Sequence, residues 1–190
     1  MNRNSDIKKM VTAALLCAIG IVIPMFSPVK IILEPASFTL ASHVSIFIAM
    51  FISPSTALFV AIGSAVGFLL GGFPIVIVLR ALSHVFFAGF GALYLKKHRE
   101  TLNSWGSATI FSLVIGIIHG VCEVLTVIPF YFGSSLTTAY YSNGFLKSVI
   151  ILVGLGTIVH SMIDFVIAKY VWDAIPNSLV DKHNNTKVIS

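Results

Sequence analysis

Apolar residues in this chain come in long runs rather than in alternation, and the runs are broken by short clusters of Pro, Gly, Ser and basic residues. Six runs, at 8–26, 36–52, 55–71, 74–95, 107–131 and 146–172, each predict a helix able to cross about 30 Å of hydrocarbon. The block 36–71 would give a single helix of ~54 Å, too long for one crossing. Ser53, Pro54 and Ser55 therefore divide it into two rather short spans. The first run, Met10 to Phe26, exceeds a signal-peptide core and lacks a small-residue cleavage site, so it predicts a permanent helix. The pattern gives one domain over 1–175 and a hydrophilic tail over 176–190, with Asn184, Asn185 and Thr186 reading as a solvated end.

Composition strengthens the membrane reading. Hydrophobic residues make up 57% of the 190 and charged ones 10%, more apolar surface than a soluble domain of this size can bury. The expected fold class is an all-α integral membrane protein, a bundle of six transmembrane helices. Cys17 and Cys122 sit singly inside apolar runs and read as small packing residues. Arg3, Lys8, Lys9, Lys96, Lys97, Arg99, Lys169, Lys182 and Lys187 fall on one side of the six-helix arrangement, against Lys30 and Lys147 on the other. Basic residues favour the cytoplasmic ends, so both termini are expected there. The formal charge of +5 thus needs no nucleic-acid partner.

Against that background the ionisable residues within the runs stand out. Arg80 and His84, His119 and Glu123, and His160 and Asp164 are each four apart, one helical turn, so each pair shares a helix face. Polar groups at such depth are costly without partners, water or substrate, which predicts a polar cavity. At ~1.5 Å per residue, Arg80, Glu123 and His43 come near the outer side and His84 and His119 near the midplane. His160 and Asp164 come out deeper, so one site using all seven residues is not expected. Arg80 offers a charged planar fork for a carboxylate; it either anchors an anionic ligand or ties the fourth helix to the fifth through Glu123. His160 with Asp164 reads as a helix-bridging pair open to His119, and His43 alone as a packing histidine or a ligand.

The outer connections, 27–35 with Pro28, Lys30, Glu34 and Pro35, and 132–145 with Phe132, Gly133, Ser134, Tyr140, Tyr141 and Asn143, either lid an outward pocket or are ordinary links. Lys147 adds positive charge at the mouth. Trp105 and Trp172 read as interfacial anchors. Small residues four apart, Ala14 and Ala18, Gly63 and Gly67, Gly116 and Gly120, allow close helix approach.

Several chemistries are missing from the sequence. It contains no GxxxxGK[ST] phosphate loop, no HExxH and no GxSxG elbow. His119, Glu123, His160 and Asp164 form a possible metal-ligand set for an intramembrane metalloenzyme or metal carrier. Their expected separation in depth argues against it, so no metal is assigned. A proton-coupled secondary transporter using the carboxylates and histidines is a third reading.

The basic N-terminus running into "TAALLCAIGIVIP", with Ala14 and Ala18 as AxxxA, and the stretch from Pro35 to His98, "PASFTLASHV…ALYLKKH", resemble the substrate-binding S components of energy-coupling factor (ECF) vitamin transporters. The resemblance covers the chain to about Ala174. It implies high-affinity vitamin binding without catalysis or cofactor, in a bacterial plasma membrane. Transport is then driven by a separate membrane coupling subunit and two cytoplasmic ATPases, and Ala14 and Ala18 contact the coupling subunit. The substrate-binding set expected is Arg80, Glu123, His43, His84, His119, Lys147, Tyr141 and Asn143. A buried arginine favours an anionic vitamin, with pantothenate placed ahead of niacin, pyridoxine and hydroxymethylpyrimidine. Metal-binding members of the wider family carry an early histidine that Met1 to Asn4 do not supply.

Overall fold

A computed structural model describes residues 3–33 and 36–176. The predicted lid residues Glu34 and Pro35 and most of the predicted tail lie outside the described residues. The chain forms α1 (Arg3–Phe26), a two-stranded hairpin of β1 (Lys30–Leu33) and β2 (Ala36–Thr39), α2 (Val44–Ile52), α3 (Pro54–Leu70) and α4 (Ile75–Lys97). A 3₁₀ turn (Arg99–Asn103) leads to α5 (Trp105–Phe132) and the short α6 (Thr138–Ser142). The last helix opens with a π-wound segment, Leu146–Leu155, and continues as α7 (Gly156–Ala174).

Among the described residues six helices make the bundle, α1 to α5 and the last. Four of them, over Ile7–Phe26, Ile75–Lys97, Trp105–Phe132 and Leu146–Ala174, are long and apolar enough to cross a membrane. Their outward faces expose residues such as Leu70, Phe90, Ile110 and Leu125, a surface suited to lipid rather than water.

The expected crossing helix over 36–52 is not formed. Its first residues pair as β2 with β1 in the register Lys30↔Thr39 to Leu33↔Ala36, and Ala41 takes a left-handed conformation (φ 67°) that no helix can pass through. What remains is a helix of nine residues, buried from Val44 to Phe51. Apolarity all around α2 reflects enclosure by protein on every side, which a hydropathy pattern cannot tell from enclosure by lipid. The break at Ser53 is as expected: its hydroxyl accepts the Thr56 N–H at 3.2 Å and Pro54 takes the first helical position of α3.

Both ends of α2 are tied by charge. The Asp164 carboxylate of α7 accepts N–H groups of Ala41 (2.7 Å) and His43 (2.9 Å), while the Arg99 guanidinium donates to the carbonyls of Phe51 and Ile52. Each charge has the sign that the helix dipole favours. The two glycine pairs act as spacers: Gly63 and Gly67 admit Cys17 and Ile21 of α1, and Gly116 and Gly120 lie against the backbone of Ile158 and Gly154 in the last helix. Ala14 and Ala18 remain on the exposed face of α1. Trp105, half exposed, rests on Tyr170 and the Lys169 ammonium, whereas Trp172 is buried against Phe51 rather than standing at a membrane border.

Candidate functional site

At the end of the bundle that carries the hairpin, a cavity of about 150 Å³ opens between α1, the hairpin, α2, α3, α4, α5 and α7. Phe38 and Thr39 of β2, Phe68 and Phe73 around the α3–α4 turn, and Ile77 give it apolar and aromatic walls. Ser42, His43, Ser64, Arg80, His84, Glu123, Thr157 and His160 give it polar ones. Phe38 reaches its place because Gly156 has no side chain; a β-carbon there would collide with the phenyl ring.

Two carboxylates organise the polar wall. Glu123 Oε2 accepts from Arg80 Nη2 (2.6 Å) and Nε (3.1 Å) and from the Thr157 hydroxyl (2.8 Å). Its Oε1 lies 3.4 Å from His84 Nε2 and 3.5 Å from His119 Nε2. The Arg80 to Glu123 tie between α4 and α5 thus exists, and the pair also faces the cavity. Asp164, with no exposure to solvent, holds the other side. Besides the two backbone N–H groups, it lies 3.1 Å from His43 Nδ1 and 3.3 Å from His160 Nε2 and accepts from the Ser42 hydroxyl at 3.4 Å. The two halves meet through the imidazoles: the His43 ring centroid is 4.8 Å from those of His84 and His119 and 5.1 Å from that of His160.

The depth reckoning is therefore corrected. His160 and Asp164 do not sit apart from Arg80 and Glu123; all seven ionisable residues join in one network. The error came from starting the second helix at residue 36. The hairpin folds back, α2 begins at Val44, and its N-terminus drops His43 beside α7. The ground on which a metal was set aside, the separation of Glu123 from Asp164, goes with it.

Three expected ligands at the mouth are placed elsewhere. Tyr141 accepts the Leu136 N–H (3.1 Å) and donates to the Phe130 carbonyl (3.4 Å), closing the α5–α6 connection on itself. Lys147 Nζ donates to Asn143 Oδ1 at 3.1 Å, one turn away on the exposed side. None of the three lines the cavity, and neither does His119, which lies behind its wall. Thr157, Ser42, Ser64 and Phe38 were missed. Thr157 had a signal, since it lies one turn before His160 on the face shared with Asp164; Phe38 had none, being hidden in a supposed helix.

The geometry offers both charges, neutral donors and ring surfaces to a small molecule. Ser64 Oγ, on the cavity wall, has no hydrogen-bond partner among the described residues.

No protein-family model matches the sequence. The chain is 41% identical over 187 residues to the niacin transporter NiaX of Lactococcus lactis subsp. cremoris (strain MG1363), covering 96% of this chain and 83% of that protein. Its fold matches the crystal structure of the S-component for biotin from an ECF-type ABC transporter with a TM-score of 0.64 at 16% identity, over 95% of this chain and 98% of that one. By sequence over nearly its whole length the chain belongs to the family of the bacterial membrane transporter NiaX, not of an enzyme, and it has the multi-pass fold of an ECF-type S component.

Proposed function

We propose that the chain is the niacin-binding subunit of an ECF transporter and that nicotinate occupies the cavity around Arg80. The observation that carries this reading is the size of the cavity. About 150 Å³ is the space that holds a single six-membered aromatic ring such as benzene, whereas the branched, extended pantothenate is much larger. The name of the 41% identical relative points the same way. Niacin thus replaces pantothenate, which the sequence alone had placed first.

Nicotinate's carboxylate pairs with the Arg80 guanidinium, its ring lies among Phe38, Phe68 and Phe73, and Ser64 donates a hydrogen bond to a polar edge. Glu123 and Thr157 hold Arg80 in place, and Asp164 holds His43 and the hairpin. The chain works with a membrane coupling subunit and two cytoplasmic ATPase subunits, with both termini on the cytoplasmic side as the placement of basic residues suggests. Ala14 and Ala18, exposed on α1, form part of the contact with the coupling subunit.

The test is a thermal-shift and calorimetric titration of the detergent-purified chain with nicotinate, nicotinamide and pantothenate. Nicotinate is expected to bind most tightly, nicotinamide more weakly for want of the charge, and pantothenate not at all. Preferential stabilisation by pantothenate would reject the assignment. Arg80→Ala should weaken nicotinate at least 100-fold. Ala14→Leu with Ala18→Leu should leave nicotinate affinity unchanged and abolish co-purification with the coupling subunit; a retained complex would remove those residues from the interface.

A further inference from the structure

His43, His84 and His119 come from three different elements, the N-terminus of α2, α4 and α5. Their rings stand edge to face with centroids 4.8 Å apart in every pair. One nitrogen from each lies within 4.8 Å of the others. Vitamin binding accounts for the residues on the cavity wall but not for His119, which is wholly buried behind it, its Nδ1 without a hydrogen-bond partner among the described residues and its Nε2 at 3.5 Å from Glu123 Oε1. A buried imidazole whose only polar partner among the described residues is a carboxylate at that distance is costly unless something else engages it.

We propose that His43, His84 and His119 form a site for one divalent first-row transition-metal cation, of the zinc type, just beneath the cavity. Three imidazoles suit such an ion, and Glu123 Oε1, 3.4 Å and 3.5 Å from the Nε2 atoms of His84 and His119, faces it as a fourth donor. Donors around a tetrahedral zinc stand roughly 3.4 Å apart, so closing the site requires imidazole movements on the order of 1 Å. His43 already carries the outer support that metal-binding histidines use. Its Nδ1 is held by the Asp164 carboxylate at 3.1 Å, which fixes the ring and leaves Nε2 to the ion. His43 and His84 line the cavity, which supplies the route of entry.

Charge favours the ion as well. With neutral imidazoles, Arg80, Glu123 and Asp164 leave one net negative charge among the described residues of the cluster. A divalent cation turns this into one net positive charge below the cavity. Its benefit to nicotinate rests on the function proposed above; the metal site itself does not.

The test uses the full chain, purified in detergent through a histidine-free tag, stripped with EDTA and dialysed against Co²⁺, with visible absorption and elemental analysis as readouts. One Co²⁺ per chain is expected, with intense tetrahedral bands that Zn²⁺ abolishes. His119→Ala and, more conservatively, His84→Gln should each weaken it at least tenfold. His98→Ala, whose side chain is 48% exposed on the turn after α4, should not. Absence of stoichiometric Co²⁺ in the unsubstituted chain, or full affinity in both site variants, overturns the proposal. Nicotinate is titrated in parallel in EDTA. Nicotinate binding by a chain that takes no Co²⁺ rejects the metal site alone, and Co²⁺ binding by a chain that ignores nicotinate rejects the vitamin alone.

Discussion

The same four helices, α2, α4, α5 and α7, build two unlike halves of the bundle. Toward the hairpin they meet through His43, His84, His119, Glu123, His160 and Asp164. Toward the Arg99 turn they meet through Phe47, Phe87, Phe111, Phe165, Phe51 and Trp172, with Phe165 5.3 Å and 5.5 Å from the rings of Phe47 and Phe51. Lipid removes most of the hydrophobic drive between helices in either half, so both depend on what their contacts contribute directly. The aromatic half depends on volume, and apolar side chains that conserve it are tolerated best. The polar half depends on the sign and direction of single atoms, and there an isosteric change is not conservative.

Asp164→Ala should separate the two halves most sharply. It strands the buried N–H groups of Ala41 and His43 and frees the His43 ring, and a buried charge network broken on one side loses about 3–5 kcal/mol. Denaturation in mixed micelles should show that loss together with loss of nicotinate binding. Asp164→Asn would sharpen the point: one oxygen still accepts, but the new NH₂ faces donors, so vitamin binding should fall although volume is kept. In the other half, Phe165→Ala should cost about 3 kcal/mol through the cavity it leaves, while the protein that remains folded binds nicotinate with unchanged affinity. Equal damage to affinity from both changes would show that the halves are not independent. Ser64→Ala should weaken nicotinate about fivefold, the value of one hydrogen bond of ~1 kcal/mol, without altering stability. The smallest effect is expected at Ala41→Gly, where relief of the left-handed conformation should raise stability by less than about 1 kcal/mol.

The sequence made the apolar architecture readable where helices face lipid. Spans 74–95, 107–131 and 146–172 recur within a few residues as α4, α5 and the last helix, because their length and composition answer to the thickness of the bilayer. It was unreadable where protein replaces lipid: α2 is as apolar as a crossing helix yet is nine residues long. That one misplacement carried into the site. Arg80, Glu123, His84 and His43 were singled out from the cost of burying charge, and the tie of Arg80 to Glu123, one of two readings left open by the sequence, is formed. The link from His43 to Asp164 depends on where a hairpin turns, and four-residue spacing on single helices holds no information about it. Tyr141 and Asn143 were chosen for lying in a loop near the mouth and Lys147 for its place at the adjoining helix end, but proximity in sequence to an opening does not aim a side chain into it.

The clamp on α2 also orders events during synthesis. The carboxylate that receives the His43 and Ala41 N–H groups lies 121 and 123 residues further along the chain, so α1 through α4 leave the ribosome before it exists. Until the last helix enters the membrane, the start of α2 has neither this anion nor the imidazole of His160 beside it. The cavity is thus the last part of the molecule to mature, and a nascent chain stopped before residue 156 holds Arg80 and Glu123 but has no closed floor on which a vitamin can rest.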